Sequence, residues 1–245
     1  MTITSIDDSQ RKAARVAGFT YLITFATVVS AYYGISLRLS VPGDAAATAR
    51  NIIAHEQLFR INIAAYVIYS AGIVVLLTAL YVTLKPVNRG LALLAAFFRL
   101  VFALMWLIST LGLFFSLRVL RSEYLQVFGA DQVQALAKLY LGTGFEGYYI
   151  GLPFWGLAST VCFYLFFKSS YIPRALAAVG VISSAWCVVS ALAFLIIPHF
   201  DKSVNLWWLD SPMSISEIAV GFWLLFKGIR PSGIAEPARA SDRAQ

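Results

Sequence analysis

Long runs of apolar residues constrain the fold of this chain more than any other feature of its sequence. We find six of them, each of roughly 17–30 residues, which is near the length that an α-helix needs to cross about 30 Å of hydrocarbon. Each run is predicted to be helical, because backbone polar groups cannot stay unpaired in lipid. The predicted fold class is all-α, a polytopic transmembrane helical bundle of about six spans with short extracytoplasmic helices. The predicted spans are residues 16–37, 60–84, 90–117, 148–168, 172–198 and 211–227.

The composition supports a membrane protein over a soluble protein with an oversized core. Hydrophobic residues make up 60% of the chain and charged residues 13%, whereas a soluble domain has about 45–50% and about 25%. The apolar residues also come in long blocks rather than at scattered core positions. The two cysteines, Cys162 and Cys187, lie inside apolar runs and are interpreted as small buried hydrophobic residues.

The sequence predicts no metal site, no cofactor and no nucleic-acid partner. There are only two histidines and no cysteine outside the spans, so a protein-built zinc site is not expected. No phosphate-binding, dinucleotide-binding or nucleophile-elbow motif is present. The net charge of +7 comes largely from basic residues beside the apolar runs, which indicates membrane orientation rather than nucleic-acid binding.

Lysine and arginine residues orient the predicted bundle. The short loops 85–90 and 168–174 are basic, and basic short loops are typical of the cytoplasmic side of a membrane. Both termini are therefore predicted to be cytoplasmic. Residues 1–15 are interpreted as a cytoplasmic segment, residues 16–230 as the transmembrane domain, and residues 231–245 as a disordered cytoplasmic tail, since they are mostly small or charged.

Two longer segments are predicted on the opposite side of the membrane. Asp44 follows a Pro-Gly turn and is expected to cap a helix that starts outside the membrane and could continue into the second span. Asp131 is expected to cap a short amphipathic helix, and Gly142, Gly144 and Gly147 are expected to break the chain before the fourth span.

Four stretches of sequence resemble a known family. They are VPGDAAATARNI, LYVTLKPVNRGLALLAAFFRL, FKSSYIPRALAAVG and FWLLFKG, in this order over roughly residues 11–230. They resemble a family of bacterial membrane proteins known as domain of unknown function 4386. Lys168-Ser169-Ser170 stands where that family has Arg-Ser-Gly, and Ala177 replaces a later Gly. The resemblance implies a polytopic protein of the bacterial cytoplasmic membrane, and it implies no activity.

Arg99 is the one charged residue between positions 91 and 110, and it poses the main question about function. A lone arginine at the bilayer centre costs from about 2.5 to more than 10 kcal/mol, depending on the reference state. If the third span enters near Gly90, Arg99 lies roughly 13 Å deep, at about 1.5 Å per residue. Glu217 stands nine residues before Phe226, the inner end of the sixth span, so it lies at a matching depth. We therefore predict that Arg99 and Glu217 face the same interior.

Several interpretations of this region remain open. The pair either locks the third span to the sixth, or lines a site for a polar or anionic head group, or Arg99 faces lipid head groups directly. Trp106 lies on the same helical face as Arg99 and could contact its guanidinium through a cation–π interaction. His55, in the outer helix, and Glu146, before the fourth span, complete the ligand-binding candidates.

Three functions are compatible with these residues. The first is a non-catalytic protein that binds membrane lipids or a lipophilic small molecule near Arg99 and Glu217. The second is a membrane enzyme that acts on a lipid or isoprenoid, with Glu217 or Glu146 as acid or base. The third is a small transporter, for which the sequence shows no convincing inverted repeat.

Overall fold

The computed structural model of the protein describes residues 6–121, 129–200 and 204–230, and these residues form helices and short connections without any β-strand. Six of the helical stretches are long and apolar enough to cross a membrane. The polytopic helical bundle is therefore confirmed for the described part of the chain. The helices are α1 (Asp8–Ala31), a π-helical turn (Tyr32–Ser36) that leads into α2 (Leu37–Leu39), α3 (Ala45–Ala54), α4 (Glu56–Leu84), α5 (Arg89–Leu120), α6 (Ala130–Ser169), α7 (Arg174–Ile196) and α8 (Trp207–Phe226).

The six long helices form a closed ring. Each long helix packs against the next one along the chain, and α8 packs against α1. The helix α6 is the most enclosed, because 56% of its apolar stretch is buried against 28–39% for the others. We call the end where α1 begins and α8 ends the terminal end, and the opposite end, which carries α3, the far end. Side chains that point into the ring therefore meet across several helices.

Some predicted helix boundaries differ from those in the structure. The first span begins at Asp8 rather than at residue 16, because the Asp7 carboxylate accepts a hydrogen bond from the Gln10 amide at 2.6 Å and caps a polar first turn. Asp44 caps α3 as predicted, accepting from the Ala47 amide at 2.8 Å. That helix ends before His55, where the backbone leaves helical geometry.

The predicted break before the fourth span is wrong. The helix α6 runs without interruption from Ala130, and its N-cap is Gly129 rather than Asp131. Gly147 allows α5 and α6 to approach each other, since a methyl group there would overlap the Ser109 side chain. Glycine is therefore a packing residue here rather than a helix breaker. The predicted disordered tail, residues 231–245, lies outside the described residues.

Gln10 belongs to a set of hydrogen bonds that connects four parts of the terminal end. Its side-chain amide donates to the backbone carbonyl of Thr83, in the last turn of α4, and to the hydroxyl of Tyr171, each at 2.9 Å. The backbone carbonyl of Tyr171 in turn accepts from the Arg230 amide at 3.0 Å. Gln10 is buried, so these hydrogen bonds hold α1, α4, the α6–α7 connection and the end of α8 in one arrangement.

Gln10→Ala is expected to lower the free energy of unfolding by about 1–3 kcal/mol, because it leaves a buried hydroxyl and a buried carbonyl without their partner. The measurement is unfolding of the detergent-solubilised protein by heat or by titration with dodecyl sulfate. Gln57→Ala is the matched control, since Gln57 is exposed on α4 and should change stability little. Equal stability of the two variants would contradict the proposed tie.

Candidate functional site

Arg99 and Glu217 form a buried ion pair in the middle of the ring. The Nη2 atom of Arg99 lies 2.8 Å from the Oε1 atom of Glu217. Arg99 is 1% exposed and Glu217 6% exposed, so the described chain shields both charges almost completely. Arg99 lies in α5 and Glu217 in α8, and their contact confirms the prediction that they face the same interior. Their mutual attraction offsets much of the cost of removing two charges from water.

Neutral groups on two further helices complete this polar cluster. The same Nη2 atom donates to the Ser159 hydroxyl at 2.9 Å and to the Tyr21 hydroxyl at 3.4 Å. The guanidinium carbon lies 5.5 Å from the centre of the Tyr21 ring, within cation–π range. The Ser159 hydroxyl also donates to Oε1 of Glu217, and the Trp155 indole donates to Oε2 at 3.0 Å. The pair thus joins α1, α5, α6 and α8.

A repeat of seven residues aligns α6 with α8. Trp155 on α6 donates to Glu217 on α8. Seven residues earlier on each helix, Tyr148 donates to Asp210 at 2.6 Å. Seven residues are close to two helical turns, so each set faces one side of its helix. Two aromatic donors on α6 therefore hold two carboxylates on α8, one near the far end and one in the centre of the ring.

The guanidinium of Arg99 is only partly satisfied. Every hydrogen bond that the guanidinium makes comes from Nη2. The Nε and Nη1 atoms are buried without a hydrogen-bond partner among the described residues. Buried donors without acceptors are rare, and each costs about 1–3 kcal/mol. The arrangement therefore leaves N–H groups free to bind an additional acceptor.

A small recess beside Arg99 offers a place for that acceptor. It lies between α4 and α5, with one side chain from α6, and its volume of about 10 Å³ is the room that one oxygen atom or water needs. Apart from Arg99 its lining is almost entirely apolar. The lining residues are Leu77, Leu80, Tyr81, Leu84, Ala92, Ala95, Ala96, Arg99 and Cys162.

The family model described as Domain of unknown function (DUF4386) matches residues 16–228. The chain belongs to this family. The match contains every residue of the Arg99 cluster and all of the recess, so both lie within the DUF4386 domain. No curated protein and no solved structure matches the chain.

Three predicted ligand-binding candidates of this DUF4386 chain lie apart from the ion pair. Trp106 makes no cation–π contact with Arg99, because it lies two turns further along α5 and its ring packs against four other aromatic rings. Tyr21 takes the cation–π position instead.

His55 is exposed at the α3–α4 junction, where its ring contacts the Asn51 carbonyl. Glu146 is exposed on α6.

Sequence reasoning missed the neutral partners of the ion pair. Trp155 and Ser159 stand four residues apart on α6, so they share a helical face that points toward the charges. That spacing could have identified them, since both carry hydrogen-bond donors within an apolar span. Tyr21 carries no comparable signal, because tyrosine is also frequent in ordinary packing.

Proposed function

We propose that this DUF4386 protein binds a lipid or a lipophilic small molecule and does not act as an enzyme. The bound molecule places an acceptor oxygen in the recess beside Arg99. The observation that carries this proposal is the pair of buried, unpartnered nitrogens of Arg99, Nε and Nη1, in a side chain that lines the recess. An oxygen in the recess would satisfy donors that are otherwise costly to bury.

The charge balance of the ion pair and the volume of the recess limit which ligand group can bind there. Glu217 already balances the charge of Arg99, so an anionic group would bring an uncompensated charge into an apolar interior. A neutral acceptor, such as an ester or ketone carbonyl, avoids that cost. The recess admits a single oxygen, and the rest of the molecule would lie outside it, along Leu77, Tyr81 and Ala96, which are only partly buried.

The hydrogen bonds of Glu217 favour binding over acid–base catalysis. One oxygen accepts from Arg99 and Ser159, and the other accepts from Trp155. A carboxylate held by a guanidinium and two neutral donors is fixed in one orientation, with no lone pair directed at a substrate. It acts in this arrangement as the counter-charge that fixes Arg99.

The proposal includes the orientation of the bundle. We propose that the protein spans the bacterial cytoplasmic membrane with the terminal end in the cytoplasm. Support comes from the basic residues at that end, among them Arg11, Lys85, Arg89 and Arg174, in or beside its short connections. A reporter fused after residue 230, active only on one side of the membrane, tests this orientation.

Ala96→Leu is expected to remove most of a co-purifying lipophilic mass by filling the recess without touching the ion pair. Native mass spectrometry of protein solubilised in a mild detergent measures the bound fraction. Ala71→Leu is the matched control, because Ala71 is exposed on α4 and does not line the recess. An unchanged bound mass in Ala96→Leu, or its equal loss in Ala71→Leu, would contradict binding in the recess.

A further inference from the structure

A second carboxylate, Asp210, lies in the first turn of α8 near the far end. The Tyr148 hydroxyl donates to its Oδ2 atom at 2.6 Å, and no other residue in the described part of the chain donates a hydrogen bond to the carboxylate through its side chain. The side chain is only partly buried. Glu217, seven residues and about 10 Å further along α8, differs because both of its oxygens are occupied and its charge is neutralised by Arg99.

Exposed aromatic rings stand beside this carboxylate. Trp207 precedes Asp210 by three residues, so the two side chains share one face of α8. The Trp207 ring is stacked on Tyr33 with ring centres 6.0 Å apart, and Tyr32 contacts Tyr33 edge-on at 5.1 Å. Trp207 is 62% exposed and Tyr33 is 41% exposed, so an approaching molecule can reach both rings.

The backbone brings these rings to α8 through an irregular turn. Tyr32 and Tyr33 open the π-helical turn Tyr32–Ser36, where α1 departs from regular α-helical geometry. Single π-turns are frequent at functional sites, because the extra residue redirects side chains. The stacked ring of Trp207 therefore connects Tyr33 to the face of α8 that carries Asp210.

The chemistry of this group selects an organic cation. Among the described residues, no lysine or arginine lies within 4.0 Å of the Asp210 carboxylate. A hard metal ion prefers several oxygen ligands, and the described residues form no cluster of three metal-ligating side chains. An alkylated ammonium, by contrast, binds one carboxylate and the faces of aromatic rings.

We propose that Asp210, Trp207 and Tyr33 form a binding site for an organic ammonium group. The site is independent of the recess at Arg99. Two kinds of molecule carry an organic ammonium group at the surface of a membrane. One is a lipid with an ammonium in its head group, and the other is a soluble amine. Both present the same positive, partly apolar group to the carboxylate and the rings.

The test uses tetramethylammonium chloride and the full chain in a neutral detergent, with sodium chloride holding the ionic strength constant. Saturation-transfer NMR follows the methyl signal. We expect saturable binding that weakens at least about tenfold in Asp210→Asn, since the charge is lost while an acceptor for Tyr148 remains. Trp207→Leu is expected to weaken binding as well. Trp208→Leu is the matched control, because Trp208 is adjacent and exposed, and its ring takes no part in the group.

The two sources are separated in lipid nanodiscs. If tetramethylammonium displaces bound phosphatidylethanolamine in native mass spectra, the site takes a lipid head group. If it binds equally in discs of phosphatidylglycerol and of phosphatidylethanolamine, the site takes a soluble amine. The proposal is overturned if the wild-type protein shows no saturable binding, or if Asp210→Asn and Trp207→Leu both bind as the wild type does. Folding of each variant is checked by its unfolding temperature.

Discussion

Arg99→Met is expected to lower the free energy of unfolding by about 3–5 kcal/mol, because Glu217 would keep a buried charge without its cation. The remaining donors to Glu217 are the Ser159 hydroxyl and the Trp155 indole, and both are neutral. Glu217→Gln is expected to cost a similar amount, since it leaves the guanidinium buried with neutral acceptors alone. Unfolding of the detergent-solubilised protein by heat or dodecyl sulfate measures both losses.

The double variant Arg99→Met with Glu217→Gln is expected to recover most of the lost stability. It contains no buried charge, and the glutamine carbonyl can accept from the Trp155 indole. The coupling energy from the double-mutant cycle then measures the ion pair itself. The same cycle at the exposed pair Arg60–Glu56, 2.7 Å apart, is the control and should give less than about 1 kcal/mol. Losses that simply add at Arg99 and Glu217 would contradict the pairing.

The double variant also separates structure from binding. It restores the balance of buried charge but removes Nε and Nη1, the two nitrogens to which we assign the ligand. A folded double variant without the lipophilic mass supports a binding role for Arg99. If the folded double variant keeps its lipophilic mass unchanged, Arg99 has only a structural role, which is to hold α5 against α8.

The ion pair could be predicted from the sequence because a bilayer gives all spans a common depth scale. Arg99 is nine residues from Gly90 and Glu217 is nine residues from Phe226, both near the inner ends of their predicted spans, and a helix converts residue counts into depth. The charges are also too costly to leave unpaired in lipid. Depth and charge together therefore identified the partner without knowledge of how the helices pack.

The surroundings of the pair could not be predicted in the same way. Depth says nothing about how a helix is rotated in the bundle, so the sequence did not indicate that the ring beside Arg99 belongs to Tyr21. The recess depends on the unequal sizes of side chains on two neighbouring helices, which no pattern within one helix reveals. Gly147 was misinterpreted as a break because glycine breaks helices in water but permits close helix packing in membranes.

Gly18→Ala is expected to destabilise the protein by about 1–3 kcal/mol or more by forcing α1 away from α8. The added carbon would lie 2.7 Å from the carbonyl oxygen of Gly221 and closer still to the amide nitrogen of Leu225. These are backbone atoms, which cannot rotate out of the way as a flexible side chain could. The contact closes the ring of helices, so the whole bundle must adjust.

The strain at Gly18 would also reach the polar cluster. Tyr21 follows Gly18 by three residues, and its Cβ would lie 3.0 Å from a carbon added at Gly221. Separation of α1 from α8 is therefore expected to lengthen the contact of 3.4 Å between the Tyr21 hydroxyl and Arg99. We expect Gly18→Ala to lower both the unfolding temperature and the fraction of protein that carries the lipophilic mass.

Gly34→Ala provides the control for this prediction. Gly34 lies in the π-helical turn, and a carbon added there meets no atom of the described chain within 4 Å. Alanine stabilises a helix by up to about 1 kcal/mol relative to glycine, so this variant should be neutral or slightly more stable. The same gain applies at Gly18, where the overlap with the backbone of α8 must exceed it. Equal unfolding temperatures for Gly18→Ala and Gly34→Ala would show that α1 and α8 do not pack backbone to backbone.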